Sequence, residues 1–181
     1  LREYPVRVIH NGIDLSVFQP TESDFRERYG LQNKKIILGV ASVWDKRKGL
    51  DDFLKLSAIL NDSYAIVLVG VNKEQKDKLP ENIVGIERTN STKQLAGIYT
   101  AADVFFNPTY EDNYPTVNLE AQACGTPVIT YRTGGSVESV PPENVISCGD
   151  YPSVLSMTHC YVAEAVQDKN SMIQEYLEVL E

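Results

Sequence analysis

Short apolar runs alternate with helical stripes along this chain. Ile36 to Ala41 (IILGVA) is apolar at nearly every position and has strand length, the pattern of a strand buried on both faces. Ala65 to Gly70 repeats it, and shorter runs follow at Asn82–Ile86, Val104–Phe106, Pro127–Thr130 and Asn144–Ser147. Val6–Ile9 reads as a further short strand, ended by the Asn11-Gly12 turn. Helical signals fall between the runs. Thr21 to Gly30 predicts a short helix closed by Gly30. Leu50, Phe53, Leu54, Ser57 and Ala58 share a face, and Lys73–Lys78 reads as a short polar helix or turn. Ser91-Thr92-Lys93-Gln94 is a capping box opening a helix with Leu95, Ile98 and Tyr99 on one side. Pro115 to Cys124 has Pro at its start and Gly125 past its end. Two C-terminal helices are expected near 151–166 and 170–180, the last with Met172, Ile173, Tyr176, Leu177 and Leu180 on one stripe. This alternation predicts an α/β fold, a parallel sheet of about six strands with helices on both faces. Such sheets bind ligands beyond the carboxyl ends of their strands, so the loops after the strands are the ones to question.

The length of 181 residues fits one domain. The longest apolar run, Ala65–Val71, is far too short to span a bilayer. A net charge of −8 argues against a general nucleic-acid binder. The charge is uneven: residues 1–50 carry nine basic and six acidic groups, whereas 51–181 carry eight and nineteen. Three of the basic groups are consecutive, Lys46, Arg47 and Lys48. Cys124, Cys148 and Cys160 form no C-x-x-C pair, and with only His10 and His159 no metal spacing exists. Widely spaced thiols suit a reducing compartment, and no base is evident for Cys124 as a nucleophile. No signal peptide is evident, and a chain that starts at Leu1 and enters a strand-like run almost at once is expected to be a piece of a longer protein.

Three loops attract attention. Lys46-Arg47-Lys48-Gly49 follows the first buried strand, where a cation can neutralise a phosphate and Gly49 permits a tight turn; the plain alternative is a solvated loop. Neither G-x-G-x-x-G nor G-x-x-x-x-G-K-[ST] follows that strand, so dinucleotide oxidoreductase and P-loop readings lose their main support. The second loop, Asn107 to Thr116, runs into a helix N-terminus, where free N–H groups favour phosphate. Asp112 and Glu120 flank that helix start and are suited to accept from sugar or ribose hydroxyls. The alternative is that Asp112 or Asn113 only caps the helix and Glu120 is solvated. The third, Thr133-Gly134-Gly135, permits close backbone approach, though an ordinary turn explains it equally.

Together these segments resemble the C-terminal, nucleotide-sugar-binding domain of GT-B-type glycosyltransferases, of the family-4 (glycosyl transferases group 1) kind. The matching pieces are Val8 to Asp14, Arg47 to Leu50, Leu95 to Asp103, Glu111 to Pro115, Leu119 to Ile129 and Thr133 to Gly135, spanning most of residues 6–140. The resemblance implies a Rossmann-like sheet, one half of a GT-B fold, with 168–181 as C-terminal helix and the acceptor-binding N-terminal domain absent from these residues. The family's paired acids, with seven residues between, fall on Asp112 and Glu120, the first on the donor sugar's hydroxyls and the second on the ribose. Lys48 matches the lysine that neutralises the departing diphosphate, so Asp112 and Lys48 are the implied catalytic residues. Arg47, Asn113, Tyr114, Pro115, Thr116, Val117, Glu120 and Gly134 are the implied donor-binding residues, the backbone of 113–117 holding diphosphate and sugar. Two departures stand out: Asp112 replaces the usual Glu, with Glu111 adjoining it, and Ser42 stands near the family's second cation, a role Arg47 is then expected to fill.

The resemblance further implies a retaining glycosyltransferase in polysaccharide or glycoconjugate synthesis, using a UDP- or GDP-sugar, with no metal and no other cofactor. The intact enzyme is expected to be cytoplasmic, with peripheral contact at the inner membrane face left open. This piece alone is expected to fold, bind the nucleotide diphosphate weakly and transfer nothing. The alternatives are a GT-B-type nucleotide-sugar epimerase domain and a non-catalytic α/β interaction module. Base contacts are expected near Ile86–Thr89; base, sugar and acceptor stay open. An apolar stripe left exposed on the last helix predicts self-association at high concentration.

Overall fold

The computed structural model describes residues 6–157 and 166–180. Six parallel strands form one sheet: β1 (Lys35–Val40), β2 (Tyr64–Val69), β3 (Ile83–Ile86), β4 (Val104–Asn107), β5 (Val128–Tyr131) and β6 (Val145–Ile146). Their order is β3-β2-β1-β4-β5-β6. The chain winds outward from β1 to one edge, then returns to β4 beside β1 and winds to the other. The direction reverses between β1 and β4, the place where parallel sheets open a ligand crevice at their carboxyl ends.

The continuous apolar runs are explained by the two cores. Along β1, Ile36 and Leu38 enter one core and Ile37 the other; Val67 and Ile66, Phe105 and Phe106, and Val128 and Ile129 divide in the same way. Side chains alternate faces along a strand, so both faces must be apolar when both are covered. One face is covered by α1 (Phe25–Arg28), α4 (Thr92–Ala101) and α5 (Thr116–Ala123), through Phe25, Tyr99 and Ala121. The other is covered by α2 (Leu50–Ser57) and α6 (Ser153–Ser156), through Phe53, Leu56 and Val154. A short α3 (Lys73–Lys76) and the final α7 (Lys169–Leu180) complete the elements.

Several expected elements differ. Val6–Ile9 is not a strand: Val6 and Val8 are exposed, and nearby only Ile13 forms a bridge, to Asp168. An apolar tetrad needs a neighbouring strand, and among the described residues none lies beside this one. The helix expected over 21–30 is a single turn, Phe25–Arg28, although Gly30 adopts the left-handed conformation expected of a stop. The Ser91 cap is half a box: Ser91 Oγ accepts from Gln94 N at 3.1 Å, but the Gln94 side chain accepts from Asn90 N instead. The full reciprocal box is at Asn72 and Gln75, opening α3. Of the helix expected near 151–166, one turn is seen at Ser153–Ser156; residues 158–165, with His159 and Cys160, lie outside the described residues. The stripe on α7 is exposed at Ile173, Tyr176 and Leu177. No described helix is long and apolar enough to cross a membrane.

Candidate functional site

The loop after β1 is held by Trp44. Its ring is buried edge-on against Phe53, with centroids 5.5 Å apart, and its Nε1–H donates to the Val69 carbonyl at 2.9 Å. Below this anchor the chain turns through 45–49, where Asp45 Oδ1 accepts from Lys48 N and Gly49 N donates to the Lys46 carbonyl. Gly49 has φ +73° and begins α2; a Cβ there would stand 2.3 Å from the Pro108 carbonyl oxygen. Only glycine meets both demands. The basic loop is therefore pressed against the loop that follows β4.

That second loop is stitched to the first. Tyr110 N donates to the Arg47 carbonyl at 2.8 Å, and the Arg47 guanidinium donates to the Glu111 carbonyl at 3.2 Å. Tyr110 Oη donates to Asp52, a carboxylate only 3% exposed on α2, at 2.8 Å. Burial and that bond push the Tyr110 hydroxyl up to about 12. Most directly, Lys48 Nζ and Asp112 Oδ2 form an ion pair at 2.5 Å, with both side chains largely buried. The two residues singled out as catalytic, 64 positions apart in sequence, thus meet.

Asp112 is engaged by Lys48 and so does not cap α5. The N-cap is Pro115, with no side-chain cap bond, and the helix start relies on backbone alone. A first turn with uncapped N–H groups retains its affinity for an anion. α5 is fixed from below by a buried polar chain: Asn107 Nδ2 donates to Asn118 Oδ1, Asn118 Nδ2 donates to Ser139 Oγ, and Gln122 Nε2 donates to the Ser139 carbonyl. One turn along, Glu120 Oε2 accepts from the buried Tyr99 hydroxyl at 2.9 Å. Burial raises the Glu120 carboxyl to about 7, an effect the Tyr99 bond opposes. Glu120 is therefore not a solvated surface acid. Cys124 is buried, and burial and the nearby Glu120 push its thiol up to about 12, the setting of a structural rather than a nucleophilic cysteine.

The third loop backs the second. Gly135 N donates to the Asp112 carbonyl at 3.1 Å, and a Cβ on Gly135 would lie 1.4 Å from the Asn113 carbonyl oxygen. The paired glycines admit the Asp112–Asn113 backbone, so close approach, rather than an ordinary turn, accounts for them. Gly135→Ala is expected to displace the loop or destabilise the fold by roughly 2 kcal/mol or more, the range for overpacking. A thermal melt of the variant within one degree of the parent, with unchanged nucleotide binding, would contradict this.

The structure gathers Lys48, Asp112 and the 113–117 backbone at one crevice, with Glu120 one turn into α5. Arg47 is about half exposed and turned to Glu111 and Asp45; Ser42 is exposed; Arg88 is exposed at the end of β3. A cavity of about 480 Å³ opens beside the two stitched loops, lined by Arg47, Asp52, Lys55, Tyr110 and Glu111 among others. A wider groove of about 1050 Å³ between α1 and α4 shares no residue with the loops after β1, β4 and β5, and its Arg26 is bound to Asp103. Sequence reasoning missed Trp44, Asp52 and Tyr99. The first is a lone tryptophan in a polar loop; Asp52 carries no signal, and Tyr99 reads only as part of an apolar helix face, until the fold brings Tyr110 and Glu120 to them. Among the described residues no group of three or more His, Cys, Asp or Glu is placed to hold a metal ion.

The family model of glycosyl transferases group 1 matches residues 21–150. This chain belongs to that family. Its fold is that of the C-terminal Rossmann-like domain of GT-B glycosyltransferases. Among curated proteins it is similar to the D-inositol 3-phosphate glycosyltransferase of Corynebacterium jeikeium, 32% identical over 152 residues, covering 72% of this chain and 36% of that protein. Among solved structures it is similar to the sucrose-phosphate synthase of Thermosynechococcus elongatus, with TM-score 0.79 and 21% identity, covering 96% of this chain and 51% of the other. It is also similar to Anabaena Alr3699/HepE in complex with UDP-glucose, with TM-score 0.77 and 18% identity, covering 96% and 57%. The chain thus spans about a third of that curated relative and about half of those solved chains.

Proposed function

We propose that this domain binds the nucleotide-diphospho-sugar donor of a retaining glycosyltransferase acting in polysaccharide or glycoconjugate synthesis. The observation that carries the reading is the Lys48–Asp112 pair held at the uncapped start of α5. A diphosphate at the 113–117 amides lies within the field of Lys48 and the helix terminus together. Asp112, released from Lys48, accepts from the sugar hydroxyls, and Glu120 accepts from the ribose. Family membership and the likeness to a fold solved with UDP-glucose support the same placement.

The chemistry follows from where charge develops. As the glycosidic C–O bond of the donor breaks, negative charge accumulates on the diphosphate. Once donor binding has turned Lys48 from Asp112 to the diphosphate, Lys48 and the α5 amides lie beside the oxygens that gain charge, so little further reorganisation accompanies the step. No acid with a metal-binding arrangement is required for this neutralisation. The acceptor is expected to be bound by a second domain, across the crevice from these loops, and transfer requires both. The enzyme is expected to act in the cytoplasm, on its own or against the inner face of the membrane.

A thermal-shift screen of UDP-, GDP-, ADP- and CMP-sugars against the protein tests the reading. A cognate donor at a hundred times its Kd raises stability by about 2.7 kcal/mol, and the corresponding nucleoside diphosphate competes with it. Failure of all four to shift the melt removes the donor assignment. Equal shifts in the parent, Lys48→Ala and Glu120→Ala place the ligand elsewhere.

A further inference from the structure

We propose that His10 and Asn11 are positioning residues for the donor loop, holding Tyr114 and through it the 113–117 backbone. The His10 and Tyr114 rings are stacked, with centroids 4.3 Å apart and planes 3° from parallel. The far side of the imidazole is fixed as well: Nε2–H donates to Glu138 Oε2 at 2.9 Å. Asn11 Nδ2 donates to the Tyr114 carbonyl at 3.3 Å. Ring and backbone of one residue are thus gripped by two consecutive side chains, and that residue immediately precedes Pro115, the N-cap of α5.

The grip has a base. Ile13 N donates to the Gln167 carbonyl at 3.1 Å, and Lys169 N donates to the Ile13 carbonyl at 2.8 Å. Gly12 N points at Met172 Sδ at 3.2 Å, and a Cβ on Gly12 would stand 2.6 Å from the Asp168 carbonyl oxygen. Residues 10–13 therefore form a strut, footed on the beginning of α7 and tipped against Tyr114. Strut and foot both lie outside the 21–150 stretch that matches the family model.

The loop needs such support because its helix carries no side-chain cap. Its placement depends on external holds: Lys48 on the Asp112 carboxylate, Gly135 N on the Asp112 carbonyl, and the strut on Tyr114. A donor draws on the first of these, since Lys48 turns to the diphosphate. The other two must then keep the amides aimed. Glu138 belongs to the same 3-10 turn, Gly134–Ser139, that supplies Gly135, so the strut and the glycine backing brace one another across the loop. This inference rests on the donor-binding reading for its functional consequence, but the strut's mechanical effect can be measured without ligand.

The test uses the intact protein in two arms. In the first, amide hydrogen exchange without nucleotide is followed in the parent, His10→Ala, His10→Phe and Asn11→Ala. His10→Ala and Asn11→Ala are expected to speed exchange at 113–117, while Phe, which keeps a stacking ring, restores protection. In the second, UDP, GDP and the corresponding sugars are titrated. His10→Ala weakens the ligand that the parent binds by roughly fivefold, the scale of an aromatic pair, and His10→Phe recovers most of it. Global melting temperature is expected to move little in every variant. Unchanged exchange at 113–117 in His10→Ala overturns the strut. Faster exchange with unchanged affinity overturns its role in donor binding. A parent that binds none of these ligands overturns the donor reading instead, and with it that functional role.

Discussion

Glu120→Gln is expected to make the protein more stable at pH 8 while weakening its hold on the donor. The Glu120 carboxyl is pushed from its ordinary 4.5 to about 7 by burial, with only the Tyr99 hydroxyl favouring its charge. Between these two values the folded protein holds a proton that the unfolded chain has released. Stability contributed by this group is therefore fully present below about pH 4.5 and falls as pH rises towards 7, after which the loss is constant. The ceiling on that loss is about 3 kcal/mol, at 1.36 kcal/mol for each pH unit between the two values. A neutral amide retains an acceptor for Tyr99 without the desolvated charge. Urea titrations at pH 5 and pH 8 should show the parent weakening across that interval and the glutamine variant much less so. Affinity for the nucleotide sugar should fall roughly tenfold or more, since hydrogen bonds from hydroxyls to a charged acceptor are worth about 1.5–3 kcal/mol. A variant no more stable than the parent at pH 8 would show that the carboxylate is already well compensated.

Lys48→Ala is expected to have the largest effect on catalysis. The intact enzyme should lose about 10²–10³ in kcat, the scale for removing one preorganised charge-stabilising donor. Stability should fall by about 1–3 kcal/mol, the cost of leaving the partly buried Asp112 carboxylate without its hydrogen-bond partner. Asp112→Asn separates the two roles. It releases Lys48 from its ion pair, so a plain nucleoside diphosphate should bind as well as, or better than, it does to the parent. The additional affinity for the attached sugar should be lost. Isothermal titrations with the diphosphate and the nucleotide sugar distinguish these effects. A Lys48→Ala enzyme within about threefold of the parent in kcat would remove lysine from the chemical step.

How far the sequence was legible depended on whether a feature was periodic or had to be assembled. The sheet was readable because Ile36–Val40 and Ala65–Val69 must be apolar on both faces, and strands covered on both sides leave that mark. Lys48 and Asp112 are each legible from their loops and the family resemblance, Asp112 also from its spacing to Glu120, but their meeting as an ion pair is not, since 64 residues separate them. Val6–Ile9 looked like a strand because its composition suits one, but a strand also requires a partner, which composition does not supply. Tyr110 on Asp52, Tyr99 on Glu120 and His10 on Tyr114 were invisible for a related reason. Each joins two ordinary residues whose significance comes entirely from meeting.

The junction between β1 and β4 has one more consequence. The pairing of β1 with β2 runs the length of both strands, from Lys35↔Tyr64 to Val40↔Val69, whereas β1 and β4 share only Ile37↔Val104 and Leu38↔Phe105. This short seam joins two half-sheets. At one end Asp103 closes it, its carboxylate accepting from Ile36 N at 2.7 Å and its own N–H donating to the Ile36 carbonyl at 3.1 Å. At the other end the closure is the Lys48–Asp112 pair. On the donor-binding proposal, a nucleotide sugar seated there would act as a clasp across the halves, so that the proposed catalytic rim would also fasten the fold. Protection of the β4 amides should therefore rise with donor concentration, although no atom of the donor touches that strand's interior.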